Sequence, residues 1–306
     1  MSRPQWEDLP ATVRAAVEAQ TGRVLKAEPA AKALVAGIIT RLHIEDGGSL
    51  LLRAIPADSP AAPRYARERG VGTVLPPDLP APRLRWSRGL EGWTLLLFDY
   101  IDGRPADLTP GSPDIPLVTD TVSLLNEVLT PCPARARVPD VADNLVLLQD
   151  RAEHLIGSRD LGLPYQVLFE EALRGFRPED LAGDTLLHYD LTPHKLLICD
   201  GQAYATNWAL AAKGAAWIEP FALVPRLIMT GHPPSQAEAL MAAVPSWRTA
   251  PKEAVAALAA LWTLSRLFKV RTGPPKRLTG RARKAYMAHA AEAAEAGRSW
   301  LVYCTM

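Results

Sequence analysis

The sequence predicts an α+β chain, with a small antiparallel β-rich region first and a larger, mainly helical remainder after it. Three observations carry that expectation. Two β-rich runs, residues 38–44 and 49–55, flank Glu45-Asp46-Gly47-Gly48, a composition suited to a tight hairpin. Beyond residue 117, apolar residues recur at helical spacing through most of the chain. Between these regions lies a proline-rich connector, residues 105–116.

Each element has its own signal. Residues 10–20 carry apolar side chains at helical spacing and stop at Gly22. After the hairpin, a second helical stretch covers residues 63–74 and is ended by Pro76, Pro77, Pro80 and Pro82. Two further strands, residues 83–87 and 93–98, lie either side of Arg88-Gly89-Leu90-Glu91-Gly92. The expected small lobe, residues 1–100, is thus a small antiparallel sheet with one helix across it. A hinge and connector occupies residues 101–116, and the large lobe spans 117–306. In the latter, helices are expected over 117–129, 141–155, 165–175 and repeatedly beyond 215. A β-like insert covers 185–208 and turns at Asp200-Gly201.

Composition narrows the function. A 306-residue chain with 48% hydrophobic and 22% charged residues is that of an ordinary globular protein with a sizeable core. Its net charge of +1 gives no general pull toward nucleic acid or an anionic membrane, so neither is expected as a partner. The first residues lack the apolar run of a signal peptide, and no apolar stretch is long enough to span a membrane; 215–229 is broken by Glu219, Pro220 and Arg226. Cys132, Cys199 and Cys304 are odd in number and widely spaced, which fits a reducing, cytoplasmic setting and argues against a structural zinc site.

The central motif is Leu187-His188-Tyr189-Asp190-Leu191-Thr192-Pro193-His194-Lys195, followed by Asn207-Trp208. It resembles the catalytic core of aminoglycoside phosphotransferases and related small-molecule kinases, whose pattern is H-x-D-x-x-x-x-N, a hairpin and then Asp-Trp. Further pieces match in order. Leu51-Leu52-Arg53-Ala54-Ile55 resembles the strand that carries a nucleotide-binding lysine. Tyr65-Ala66-Arg67-Glu68 resembles the helix with its ion-pair glutamate, and residues 95–103 resemble the hinge. The resemblance covers most of residues 20–230 and implies a two-lobed protein-kinase-like fold.

The resemblance also assigns roles. Asp190 matches the base that accepts the proton of the attacking hydroxyl, and His188 matches a histidine that braces the catalytic loop. Arg53, Glu68, Lys195 and Asn207 match the nucleotide and metal positions, but three of these differ from the pattern. Arg53 stands for the lysine, Lys195 for the metal-binding asparagine and Asn207 for the metal-binding aspartate. The phosphate loop reads Ala31-Lys32-Ala33-Leu34-Val35-Ala36-Gly37, in which only Gly37 resembles the usual glycines. Glu219 aligns with a carboxylate that such proteins often carry and reads as a capping or helix-dipole group.

These differences bear on magnesium, which needs hard oxygen ligands near octahedral geometry. A lysine ammonium has no lone pair and repels the ion. A unit charge pair at ~4 Å is worth ~4 kcal/mol at an effective dielectric of ~20. A guanidinium fork also differs from a lysine point charge. ATP therefore remains a candidate ligand, whereas magnesium is disfavoured and no cofactor is assigned.

Residues 266–284 add a basic run: Arg266, Lys269, Arg271, Lys276, Arg277, Arg281, Arg283 and Lys284, with no acidic residue between Glu253 and Glu292. It reads either as a solvated helix face or as a docking surface for an anionic ligand or acidic partner. It argues against a polycationic drug as substrate. The leading expectation is a pseudokinase that binds a small molecule or peptide in the interlobe cleft. The alternatives are a working small-molecule phosphotransferase with Asp190 as base, and a non-kinase reaction in the same cleft using His188, Asp190 or Lys195.

Overall fold

The structure, a computed structural model, describes residues 4–30, 37–159, 161–162, 165–276 and 278–305. Along the chain come α1 (Ala11–Thr21), β1 (Val24–Pro29), β2 (Ile38–Ile44), β3 (Ser49–Pro56), α2 (Ala62–Gly72), β4 (Leu84–Leu90), β5 (Trp93–Asp99) and β6 (Arg104–Pro105). Then follow α3 (Asp114–Val128), α4 (Val141–Gly157), α5 (Tyr165–Arg174), β7 (Thr185–Leu187), β8 (Leu196–Cys199), β9 (Gln202–Ala205) and β10 (Ala212–Gly214). Four helices end the chain: α6 (Ile218–Met229), α7 (Pro234–Met241), α8 (Lys252–Thr272) and α9 (Gly280–Thr305). Two compact units result. The first comprises Met1–Pro105, Pro133–Val138 and His194–Ala211; the second comprises Ala106–Cys132, Pro139–Pro193 and Ala212–Met306.

In the first unit an antiparallel sheet runs in the order β1-β2-β3-β5-β4. Side chains alternate across a strand, so β5 serves two cores at once. Leu95 and Leu97 join Val13 and Val17 of α1, with Trp6, Leu42 and Leu52, on one face. Leu96 and Phe98 join Ile55 and Tyr65 of α2 on the other. A helix therefore covers each face, and α1 takes the one opposite α2.

Turn chemistry sets the strand ends. Glu91 and Gly92 both have positive φ, 46° and 74°, as a two-residue turn matching strand twist requires. That tight turn lets β4 run on to Leu90 rather than stopping at Ser87. Gly47 likewise has φ 86° in the first hairpin. The edge strand β1 had no clear signal: Val24-Leu25-Lys26-Ala27-Glu28-Pro29 is short and largely exposed, with Leu25 61% accessible. Asp200 and Gly201, φ 49° and 74°, turn β8 into β9, and both join β6 in a three-stranded sheet.

The second unit is mainly helical. Ala152 and Leu155 of α4, Phe169 of α5, Ala260, Leu261 and Leu264 of α8, and Leu301 of α9 form one core. The α9 Trp300 ring lies 4.9 Å from Phe221 of α6, and its Nε1 donates to Glu238 Oε1 of α7 at 2.7 Å. The short ladder β10–β7 leads into the His188–Asp190 segment. Among the described residues no helix is long and apolar enough to cross a membrane.

Candidate ligand site

The first unit holds Arg53, Glu68, Lys195 and Asn207. Arg53 lies on the central strand β3, where Ile39 and Leu96 flank it. Glu68 lies on α2, and the two side chains meet with Nη1 donating to Oε1 at 2.5 Å. The pair is nearly closed to solvent, with Arg53 6% and Glu68 3% accessible. Tyr65, one turn before Glu68 on α2, presents its ring 5.1 Å from the Arg53 guanidinium carbon. The ring adds a cation–π contact to the buried pair. Burial pushes the Tyr65 hydroxyl upward.

This ion pair leaves one nitrogen and one oxygen of the two side chains unused. Arg53 Nε and Glu68 Oε2 are buried without hydrogen-bond partners among the described residues. Burial pushes the Glu68 carboxyl above its ordinary range, while the charges of Arg53 and then Lys195 pull it down. Lys195 thus acts on the same carboxylate. Its position is set by its own backbone: the Lys195 carbonyl accepts from Thr206 N at 2.8 Å and from Thr206 Oγ1 at 3.2 Å. Asn207 follows with φ 65°, a left-handed conformation in which Asn and Asp are the favoured side-chain-bearing residues. Next to it, Trp208 is buried and donates from Nε1 to Ala205 O at 3.0 Å.

Gly37 opens β2, and its need for glycine is steric. A Cβ there would sit 2.9 Å from Ala54 O and 3.0 Å from the Tyr65 hydroxyl. Its glycine therefore serves close approach to β3 and α2. The rest of the expected phosphate loop, residues 31–36, lies outside the described residues.

The second unit holds His188, Asp190 and Glu219. The expectation of a local structural role for Glu219 takes a specific form. From the first turn of α6, its carboxylate accepts the backbone amides of His188 at 2.5 Å and Tyr189 at 3.0 Å. These two bonds hold a strained stretch, because Tyr189 has φ 66°, uncommon for a bulky side chain. His188 is wholly buried, and its Nδ1 accepts the Asp190 amide at 3.3 Å. An accepting Nδ1 is unprotonated, so this contact places the neutral ring's proton on Nε2. Burial raises Glu219 to about 7, against the lowering effect of the two amides. The fold therefore gives the loop before Asp190 a two-amide clamp and a histidine brace.

Several basic residues of the second unit gather near Asp190, and the sequence indicated them only in part. Arg226 projects from α6, and Arg266 and Lys269 from α8. The guanidinium carbons of Arg226 and Arg266 lie 5.6 and 4.7 Å from the Trp262 ring centroid. Arg151 of α4 lies 5.5 Å from the Phe268 ring and donates to Ser265 Oγ at 2.9 Å. The lone cation in the apolar segment 215–229 was the available signal for Arg226; nothing marked Arg151. Of the remaining basic run, Arg271, Lys276, Arg281, Arg283 and Lys284 are exposed, and Arg277 lies outside the described residues.

A kinase-like fold implies ATP and magnesium, and the donor set can be tested for them. Lys195 adds positive charge where Arg53 already supplies one, and Asn207 offers a neutral amide oxygen. Among the described residues no three His, Cys, Asp or Glu side chains form a group able to hold a metal ion. A lysine ammonium has no lone pair for a cation and an amide oxygen is neutral, so Lys195 and Asn207 are poorer magnesium donors than an asparagine and a carboxylate would be.

No protein-family model matches the sequence, and no curated protein matches it. Solved structures do. Choline kinase LicA from Streptococcus pneumoniae aligns over 93% of this chain and 98% of its own, with a TM-score of 0.58 and 14% identity. An aminoglycoside 2′-phosphotransferase-IIIa in complex with GDP aligns over 94% and 96%, with a TM-score of 0.61 and 14% identity. A microcompartment-associated aminopropanol kinase aligns over 96% and 98%, with a TM-score of 0.54 and 13% identity. The alignments run nearly end to end at identities that speak for architecture alone: this chain has the kinase-like fold that choline kinases and aminoglycoside phosphotransferases share.

Proposed function

We propose that this protein is a ligand-binding member of the kinase-like fold that works without magnesium-ATP phosphoryl transfer. The observation that carries the reading is the Lys195 charge acting on the same Glu68 carboxylate that Arg53 already pairs with. A divalent cation brought there meets two fixed positive charges. Its usual compensation, a carboxylate at position 207, is an amide. Binding an anion costs nothing comparable, so a nucleotide or another phosphate-bearing molecule remains compatible with the site.

A second reading keeps catalysis. Asp190 is preceded by a clamped loop, and the fold's solved relatives include a choline kinase and an aminopropanol kinase. That reading makes the protein a small-molecule phosphotransferase with Asp190 as base.

One titration separates them. Thermal melting is followed with ATP or ADP, each with and without magnesium. A ligand at a hundredfold excess over its dissociation constant stabilises by about 2.7 kcal/mol, so binding is visible where it occurs. The expected outcome is no additional shift from magnesium for either nucleotide. A melting temperature that climbs well beyond the metal-free value when magnesium joins ATP overturns the proposal and favours the phosphotransferase.

A further inference from the structure

The positive charges of the second unit are not arranged as structural arginines usually are. Half-buried guanidiniums in a protein interior normally face a carboxylate, because desolvated charge is costly unless paired. Arg226 and Arg266 instead face the same indole. Their Nε atoms are buried without hydrogen-bond partners among the described residues. Lys269 lies one turn beyond Arg266 on the same face of α8. Burial, together with the neighbouring Arg226, pulls Arg266 down to about 10. Burial, with Arg266, Arg151 and Arg226, pulls Lys269 down to about 8. The carboxylate that acts on all three is Asp190.

We propose that Arg226 and Arg266, set against Trp262, together with Lys269, form a binding site for the dianionic phosphate group of a small phosphorylated molecule. The reasoning is a charge balance with a geometry. Arg226, Arg266 and Lys269, with Arg151 acting on the last two, bring together more positive charge than the Asp190 carboxylate offsets, and a phosphomonoester dianion compensates more of that surplus than a carboxylate does. Guanidinium forks suit tetrahedral phosphate oxygens, and Arg226 and Arg266 are both only part-buried. Trp262 meanwhile holds both guanidiniums through cation–π contact before any ligand arrives. This deepens the ligand-binding reading above by naming a ligand class, and it assigns the role to Arg226, Arg266 and Lys269 rather than to the exposed cations of residues 271–284.

The test uses the full-length protein and inorganic phosphate as probe, with acetate and chloride at matched ionic strength. Melting temperature and calorimetric affinity are measured for the wild type, Arg226→Gln, Arg266→Gln and Arg266→Lys. Phosphate is expected to raise the melting temperature more than acetate or chloride does. Both glutamine variants should bind phosphate roughly ten- to a hundredfold more weakly, the loss expected for a charged hydrogen bond. Ligand-free Arg266→Gln should melt no lower than wild type, because it relieves repulsion with Arg226. Arg266→Lys keeps the charge without the fork, so it should fold and still lose affinity. A phosphate shift no larger than that of chloride overturns the proposal. So does an equal response to acetate, or a phosphate affinity unchanged in the folded variants. Magnesium dependence is read from nucleotide titration of the wild type, so either result can fail while the other stands.

Discussion

The two units each hold arginine away from water, and they balance its charge differently. In the first, Arg53 is nearly sealed in, and Glu68 answers it at 2.5 Å with Tyr65 stacked alongside. In the second, Arg226 and Arg266 lie against the Trp262 indole, their Nε atoms have no hydrogen-bond partner among the described residues, and the carboxylate that acts on both is that of Asp190. A sealed and answered charge is a structural device, whose removal costs stability. A half-open and unanswered one stores repulsion that a ligand can discharge. The contrast predicts opposite signs for superficially similar substitutions.

The largest expected effect is at the sealed pair. Glu68→Gln leaves the Arg53 guanidinium buried beside the Lys195 charge with no counterion. Breaking one partner of a buried pair typically costs about 3–5 kcal/mol. Urea unfolding should show a loss of that order. Replacing both partners, Arg53→Met with Glu68→Leu, should restore most of it, because apolar groups of similar volume remove both desolvation costs. If Glu68→Gln unfolds at the wild-type urea concentration, the pair is not the structural device described here, and the contrast between the units breaks.

A smaller effect concerns Glu219. Its folded pKa of about 7 lies above the ordinary carboxylate range, so the folded chain holds this proton more tightly than the unfolded chain does. The corresponding stability is complete below about pH 4.5 and is lost as the pH rises through about 7. The full span is worth about 3 kcal/mol at most. Glu219→Gln cannot ionise, so its stability relative to wild type should improve steadily from pH 4.5 to 8. It starts from a deficit of about 1–3 kcal/mol, because an amide side chain satisfies the His188 and Tyr189 amides less well. A wild-type-minus-variant difference that stays flat across this range means the two amides fully stabilise the carboxylate and burial has no net effect.

Much of the fold was legible because it rests on local rules. The β2–β3 hairpin followed from Asp46-Gly47-Gly48, and α1 ended where Gly22 takes φ 77°. The helices from α3 onward followed from their apolar spacing. Edge strand β1 escaped, since an exposed mixed sequence carries no period-two pattern. The end of β4 was misplaced because Arg88-Gly89 resembles a loop until the turn is seen to need only Glu91-Gly92. The site was legible in part. The Arg53–Glu68 contact was legible only through the resemblance of their strand and helix to those of a known family. The grouping of Arg226 with Arg266 and Arg151 joins three helices far apart in sequence, and no local pattern encodes such a meeting. Its traces were an arginine standing in a mostly apolar helix and the start of the basic run at Arg266.

The smallest expected change in stability is at position 207, and it tests the proposal that the first unit binds its ligand without magnesium. Position 207 takes φ 65°, and both Asn and Asp accept that conformation. The backbone therefore does not choose the amide over the carboxylate. Asn207→Asp should alter stability by only a few tenths of a kcal/mol, in the range usual for exposed or half-exposed substitutions. Alone it should also leave nucleotide binding indifferent to magnesium, because Lys195 still repels the ion. Adding Lys195→Asn removes that charge and supplies a second oxygen ligand. In the double variant, magnesium should then raise nucleotide affinity, read as an added melting shift or by calorimetry. A single Asn207→Asp protein that already responds to magnesium would show that Lys195 swings clear of the site. A double variant that still ignores the ion would place the obstacle at Arg53, whose guanidinium is committed to Glu68 and is not free to hold a phosphate as a lysine can.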